Sequence, residues 1–141
     1  MSQPFPRTSK SPYSFKTILP FVVFFFVLAF WTWELLAENP VPESISKAIP
    51  SEWKFYLAKG LHVSVYALLT LLAAWLPIPR VAFGLVVVGL LAHGIATEVG
   101  QSYTAKRTGK VEDVVLDWVG ILAGLIVVEG WNYLKPRRYI H

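Results

Sequence analysis

Ionisable side chains recur at helical spacing inside three otherwise apolar stretches of this sequence. In each stretch the polar residues share one helical face. They are Lys59, His62 and Tyr66 in the first stretch, Glu98 and Gln101 in the second, and Asp113 and Asp117 in the third. Lysine can hold a phosphate or carboxylate, and a histidine beside a carboxylate can act as a general base. Because an ionisable residue at a bilayer centre costs about 2.5–3.5 kcal/mol, these positions indicate a site.

The residues around these stripes are typical of membrane-spanning helices. The chain has 141 residues, of which 55% are hydrophobic and 16% charged, and its mean hydropathy is +0.50. A soluble domain carries about 25% charged residues, so the composition argues against a soluble globular protein and against a disordered chain. Four apolar runs of about 20 residues predict helices rather than barrel strands. We therefore expect an all-α integral membrane four-helix bundle with spans at 18–37, 56–76, 81–101 and 113–131.

The flanking segments set the domain organisation. We expect a disordered cytoplasmic leader at 1–16, a membrane domain at 17–134 and a basic cytoplasmic tail at 135–141. The first run could be a signal peptide, but it is long for one and lacks a convincing cleavage site, which favours an uncleaved span. Its Phe24, Phe25 and Phe26 and its Trp31 and Trp33 are expected to face lipid and the interface.

The Lys and Arg residues favour both termini in the cytoplasm. With the amino terminus inside, seven lie on the cytoplasmic side and five on the outer side, a weak bias in the expected direction. The cytoplasmic set is Arg7, Lys10, Lys16, Arg80, Lys135, Arg137 and Arg138; the outer set is Lys47, Lys54, Lys106, Arg107 and Lys110.

The order of the spans brings the three polar stripes to one face of the membrane. Span two begins at the face where span three ends, and span four begins just beyond it. We therefore expect one charged pocket at the outer face, with Arg107 contributed by the loop between spans three and four. Its expected binding residues are Lys59, His62, Tyr66, Glu98, Gln101, Arg107, Asp113 and Asp117.

In this order and spacing, the residues resemble the VanZ-like family. The motifs that carry the resemblance are Lys59-x-x-His62-x-x-x-Tyr66, Glu98-x-x-Gln101-x-Tyr103, Arg107 six residues before Asp113, and the Gly120/Gly124 stripe, over about half of the chain. The resemblance implies a small multi-span protein of the bacterial cytoplasmic membrane. It also implies a cell-envelope role, since the founding member confers low-level resistance to the lipoglycopeptide teicoplanin.

Three positions depart from the family pattern. Ala58 and Thr97 stand where the family often has Asp, and Asp117 stands where it often has Asn. The number of carboxylates therefore differs, and no fixed metal or acid–base scheme is carried over from the resemblance.

Three functions remain open from the residues. In the first, the pocket binds a lipid-linked cell-wall component or another anionic headgroup, held by Lys59 and Arg107. In the second, the protein is a membrane-embedded enzyme that uses His62 and Glu98 in acid–base or metal chemistry on a lipid. No nucleophile elbow, zinc-protease helix or phosphate-binding loop is present. A transporter, the third, is disfavoured because the polar groups lie at one face rather than at the midplane.

Simpler interpretations stand beside these. Lys59 with Glu98, or Arg107 with Asp113, could be structural ion pairs, and Lys59 could extend to the interface alone. Gly120 and Gly124 are typical of close helix packing, and His93 of a buried, hydrogen-bonded histidine.

The composition also limits cofactors and partners. The absence of cysteine excludes disulfides and thiolate ligands. His62, Glu98, Asp113 and Asp117 could suit a divalent cation, but Lys59 and Arg107 would repel it, so we expect no metal and no other cofactor. Membrane lipids are the expected partners and nucleic acid is not, because no basic stripe follows one element. An oligomer is compatible with this pattern.

Overall fold

The described part of the chain folds into four long α-helices. A computed structural model describes residues 15–37, 47–104 and 109–134. Within these ranges the long helices are α1 (Phe15–Leu36), α2 (Ser51–Trp75), α3 (Arg80–Ser102) and α4 (Val111–Leu134). The all-α prediction is confirmed, and each predicted span falls on one helix. Helix α1 begins at Phe15, so the last two residues of the expected leader are helical, and residues 135–141 lie outside the described part.

Three of the helices have the length and composition of membrane spans. Helices α1, α2 and α3 contain 22, 25 and 23 residues and are long and apolar enough to cross a bilayer. Many of their large apolar side chains point away from the protein; Phe25, Phe26 and Trp33 on α1 are each more than half exposed. An apolar surface of this extent needs a hydrocarbon environment. The chain therefore has the character of a membrane protein.

The turn between α2 and α3 is short, as the prolines predict. Helix α2 ends at Trp75, and Leu76 adopts an extended conformation that ends the helix. The backbone N–H of Ile78 donates to the Leu76 carbonyl at 2.8 Å. Pro79 then precedes the first residue of α3, where its missing N–H leaves no helical hydrogen bond unmade. The two helices are consequently antiparallel neighbours.

Helices α2 and α4 form the most extensive packing in the bundle. Two glycines on α4 make this possible. A Cβ atom on Gly120 would collide with the Val63 carbonyl oxygen, and one on Gly124 would lie 2.7 Å from the Thr70 Cβ. The prediction that this stripe serves helix packing is confirmed, and the close approach brings the polar faces of α2 and α4 into contact.

Helix α1 covers the polar faces of α2 and α3 from one side. Its buried side chains Phe24, Trp31 and Leu35 repeat at intervals of seven and four, and they join Leu69 and Ile121 in the core. Phe24 and Trp31 were expected to face lipid, and this expectation was wrong. Phe25, Phe26 and Trp33 occupy the outer face, so the aromatic run is divided between core and lipid by helical periodicity.

Candidate functional site

Lys59 on α2 binds two carboxylates at the start of α4. Its Nζ donates to Asp113 Oδ1 and lies 3.5 Å from Glu112 Oε2. The side chains of Lys59 and Asp113 are 18% and 16% exposed, whereas that of Glu112 is 79% exposed. The lysine is therefore held between an inner and an outer carboxylate. It does not extend to the interface alone.

His62 lies one turn deeper on α2 and pairs with the second aspartate of α4. Its Nδ1 is 2.7 Å from Asp117 Oδ1, and Asp117 is completely buried. The indole ring of Trp31 on α1 lies nearly perpendicular to the imidazole, with ring centroids 5.6 Å apart. The carboxylate and the indole together fix the orientation of the imidazole. A histidine held in this way is suited to proton transfer or to metal binding.

Glu98, near the end of α3, completes the group. Its Oε2 accepts a hydrogen bond from the backbone N–H of Lys110 at 2.7 Å. Glu98 is only 5% exposed, and among the described residues its Oε1 has no hydrogen-bond partner. A buried carboxylate oxygen without a donor is costly, so this atom, like Asp117 Oδ2, is suited to accept a cation or a donor group.

Helices α2, α3 and α4 bring their ionisable side chains together at one end of the bundle. A ligating atom from each of His62, Glu98 and Asp113 lies within 4.8 Å of the other two. We call these three residues, together with Lys59 and Asp117, the charged cluster. The residues come from α2, α3 and α4, as the order of the spans predicts.

A chain of hydrogen bonds joins α2, α3 and α1 next to the charged cluster. Tyr66 is fully buried, and its hydroxyl lies 2.8 Å from His93 Nδ1. The other ring nitrogen of His93, Nε2, lies 2.9 Å from Thr32 Oγ1 on α1. His93 is thus hydrogen-bonded on both sides, as expected, although it is only half-buried. Thr32 was missed; its only signal was a polar residue, two positions before Glu34, in the first apolar run.

The remaining predicted residues have different outcomes. Gln101 is 6% exposed on the inner face of α3, whereas Tyr103 is 85% exposed and caps that helix from outside. Arg107 lies outside the described residues, so its predicted role stays a prediction. The alternative ion pair of Lys59 with Glu98 is not formed, because Asp113 takes the lysine at the helix interface.

The side chains of the charged cluster contact one another, and an open groove lies beside them. This groove, of about 270 Å³, runs between the end of α3 and the start of α4 and has Glu98 in its wall. Ile95, Val99 and Val114 give it apolar sides, and Lys110 stands at its polar end. Grooves of about 340 and 450 Å³ lie at the opposite end of the bundle, around Asn132.

Comparison of this chain with protein-family models, with curated proteins and with solved structures finds no match, so the geometry of the charged cluster carries the functional argument.

Proposed function

We propose that this chain is a VanZ-like protein of the bacterial cytoplasmic membrane that binds an anionic, lipid-linked headgroup of the cell envelope at its charged cluster. The proposal depends most on Lys59, the cationic member of the charged cluster, whose side chain is only 18% exposed. Its Nζ donates to Asp113, and His62 lies one turn deeper on α2, where Asp117 holds the imidazole. The motif residues of the resemblance therefore supply a compact group of complementary charges.

The groove beside Glu98 supports a lipid as the ligand. Its sides are apolar, and Val99 and Val111 are 52% and 81% exposed on the outer surface of the bundle. An acyl or polyprenyl chain could lie along these valines while its phosphate meets Lys110, whose side chain is exposed. Lateral entry from the bilayer suits a ligand that is itself anchored in the membrane.

We include α4 as a fourth span in this proposal. Helix α4 has 24 residues, or about 36 Å of helix, and packs along α2 through Gly120 and Gly124. Two helices in such close contact share one environment, so α4 crosses wherever α2 does. Four crossings put both termini on one side, and the distribution of Lys and Arg favours the cytoplasm.

Cysteine labelling tests this topology. The chain has no cysteine, so single cysteines can be introduced without further changes. In intact cells we expect an impermeant thiol reagent to label Ser102→Cys but neither Ser2→Cys nor His141→Cys. Labelling of His141→Cys together with protection of Ser2→Cys would mean three crossings and would contradict the proposal.

Susceptibility of a sensitive bacterial host to a lipoglycopeptide tests the function. With membrane levels matched, we expect the wild type to protect, Glu98→Gln and Arg107→Ala to lose protection, and Glu129→Gln to keep it. Glu129 is a matched carboxylate at the other end of α4, where it pairs with Arg80. Equal protection by all variants would mean that the charged cluster has only a structural role. A wild type that gives no protection would refute the envelope role.

A membrane-embedded enzyme is the second candidate, favoured by one specific observation. The buried Asp117 holds His62 through Nδ1 at 2.7 Å, the arrangement in which a carboxylate orients a general base. In this case His62 and Glu98 are the acid–base pair. Turnover separates the two candidates, because an enzyme changes the extracted lipid whereas a binder leaves it intact. Loss of lipid conversion in His62→Gln, with binding retained, would favour the enzyme.

A further inference from the structure

Three side chains of the charged cluster have the types and spacing of a metal site. His62, Glu98 and Asp113 each offer a ligating atom within 4.8 Å of the others. Ligands of a bound zinc ion are about 3–4 Å apart, so small side-chain rotations would close the site. One carboxylate oxygen of Glu98, Oε1, has no hydrogen-bond partner among the described residues, and the residue is 95% buried.

The hydrogen bond of His62 prepares its second nitrogen for a ligand. Nδ1 faces the Asp117 carboxylate, which can only accept a hydrogen bond when ionised, so Nδ1 carries the proton. The lone pair is then on Nε2. Histidines that bind metals almost always donate their other ring N–H to a carboxylate or a carbonyl, which fixes the ring and raises its basicity.

The balance of charge also favours a cation. Glu98, Asp113 and Asp117 are three poorly exposed carboxylates, and Lys59 contacts only Asp113 among them. The sequence disfavours a cation because Lys59 would repel it. In the structure Lys59 also lies 3.5 Å from the exposed Glu112, so it can remain paired there when Asp113 turns to a metal. An additional positive charge would compensate carboxylates that are expensive to bury alone.

We propose that His62, Glu98 and Asp113 bind one divalent transition-metal cation, Zn²⁺ or Mn²⁺. One imidazole nitrogen and two carboxylate oxygens suit these ions better than Ca²⁺, which takes six to eight oxygen ligands. Three protein ligands leave a coordination position open for water or for an anionic oxygen. The metal site does not require the proposed headgroup, because all three ligands are side chains of this chain.

Direct titration of the metal tests the site. The full-length protein, without a histidine tag, is stripped with chelator in lipid nanodiscs and titrated separately with Zn²⁺ and Mn²⁺. We expect one site per chain and at least tenfold weaker binding in each of Glu98→Gln, His62→Gln and Asp113→Asn. Asp117→Asn should weaken binding by about 10–100-fold through the orientation of His62. Glu129→Gln, the matched carboxylate that pairs with Arg80, should bind as the wild type does.

Lys59→Gln separates this proposal from the proposed function. Removal of a lysine next to a cation should leave metal affinity unchanged or increase it, whereas it should weaken the binding of an anionic headgroup. Size-exclusion elution and helical circular dichroism identify variants that fail to fold, and three independent ligand variants keep the test decisive. The proposal is overturned if the wild type binds neither ion at millimolar concentration, or if all three ligand variants bind as tightly as the wild type.

Discussion

Each end of the bundle carries an ion pair between a basic and an acidic side chain, but the surroundings of the two pairs differ. At one end Lys59 pairs with Asp113, and the side chains are 18% and 16% exposed. At the other end Arg80 pairs with Glu129 at 2.8 Å, and the side chains are 81% and 55% exposed. The exposed pair can be lost at little cost, because water replaces each partner. The enclosed pair belongs to a group that also contains His62, Glu98 and Asp117, so its loss leaves charges without partners.

The volumes of the grooves do not follow this difference in exposure. The larger grooves lie at the end with the exposed pair, around Asn132. The buried, incompletely bonded polar atoms Glu98 Oε1 and Asp117 Oδ2 lie at the other end. Unmet hydrogen-bonding capacity indicates a ligand more directly than empty volume does, because apolar grooves on a membrane protein are filled by lipid chains.

The largest effect is expected from truncation of the buried aspartate. Asp117→Ala leaves His62 without its acceptor in a dry site and should reduce the free energy of unfolding by about 3 kcal/mol. Glu129→Ala, on the same helix, should change it by less than about 0.5 kcal/mol. Denaturant titration in detergent micelles measures both. Equal losses would remove the contrast between the two ends.

Two glycines of α4 should respond to alanine substitution with changes of opposite sign in the free energy of unfolding. Gly120→Ala should cost about 2 kcal/mol, since the new Cβ would meet Val63 and the Tyr66 Cβ at 3.1 Å. Gly130 has nothing within 4 Å of its Cβ position, so Gly130→Ala should stabilise the helix by up to about 1 kcal/mol. Thermal unfolding of both variants gives the answer, and destabilisation by Gly130→Ala would contradict the packing described above.

Double-mutant cycles should give different coupling free energies for the two ion pairs. We expect a coupling free energy of about 1 kcal/mol or more between Lys59 and Asp113, since both side chains are mostly enclosed. Between Arg80 and Glu129 the coupling should be about 0.5 kcal/mol or less. Reversal of this order would mean that the exposed pair is the structural one.

The smallest effect is the response to salt. Raising the ionic strength tenfold, from about 0.05 to 0.5 M, shortens the screening length from roughly 14 to 4 Å. The Arg80–Glu129 coupling should fall by a few tenths of a kcal/mol, and the Lys59–Asp113 coupling should change less because solvent ions reach it poorly. The same cycles repeated at both salt concentrations check this. Equal sensitivity would show that the charged cluster is open to water.

Helical periodicity was sufficient to predict the faces of the polar stripes. The spacing of Lys59, His62 and Tyr66 and that of Asp113 and Asp117 place each set on one face, and the order of the spans brings them to one end. These features follow from local geometry and chain length. They are confirmed in α2 and α4.

Periodicity could not predict which side chains of different helices pair with each other. Whether Lys59 meets Glu98 or Asp113 depends on the rotation of α4 against α2, which Gly120 sets through its contact with Val63. The contact between Thr32 and His93 depends on how α1 docks, and neither residue has a charge that marks it. Docking is a property of packed surfaces, and a pattern along one helix contains no information on it.

Binding of a polyprenyl phosphate in nanodiscs tests most directly whether the charged cluster is the binding site. Phosphatidylglycerol is the competing anionic lipid, and Lys59→Gln and Arg80→Gln remove one cation from each end of the bundle. We predict that polyprenyl phosphate binds more tightly than phosphatidylglycerol, that Lys59→Gln weakens this binding at least tenfold, and that Arg80→Gln leaves it unchanged. Equal binding by the wild type and Lys59→Gln, or a loss confined to Arg80→Gln, would contradict the assignment of the site to the charged cluster.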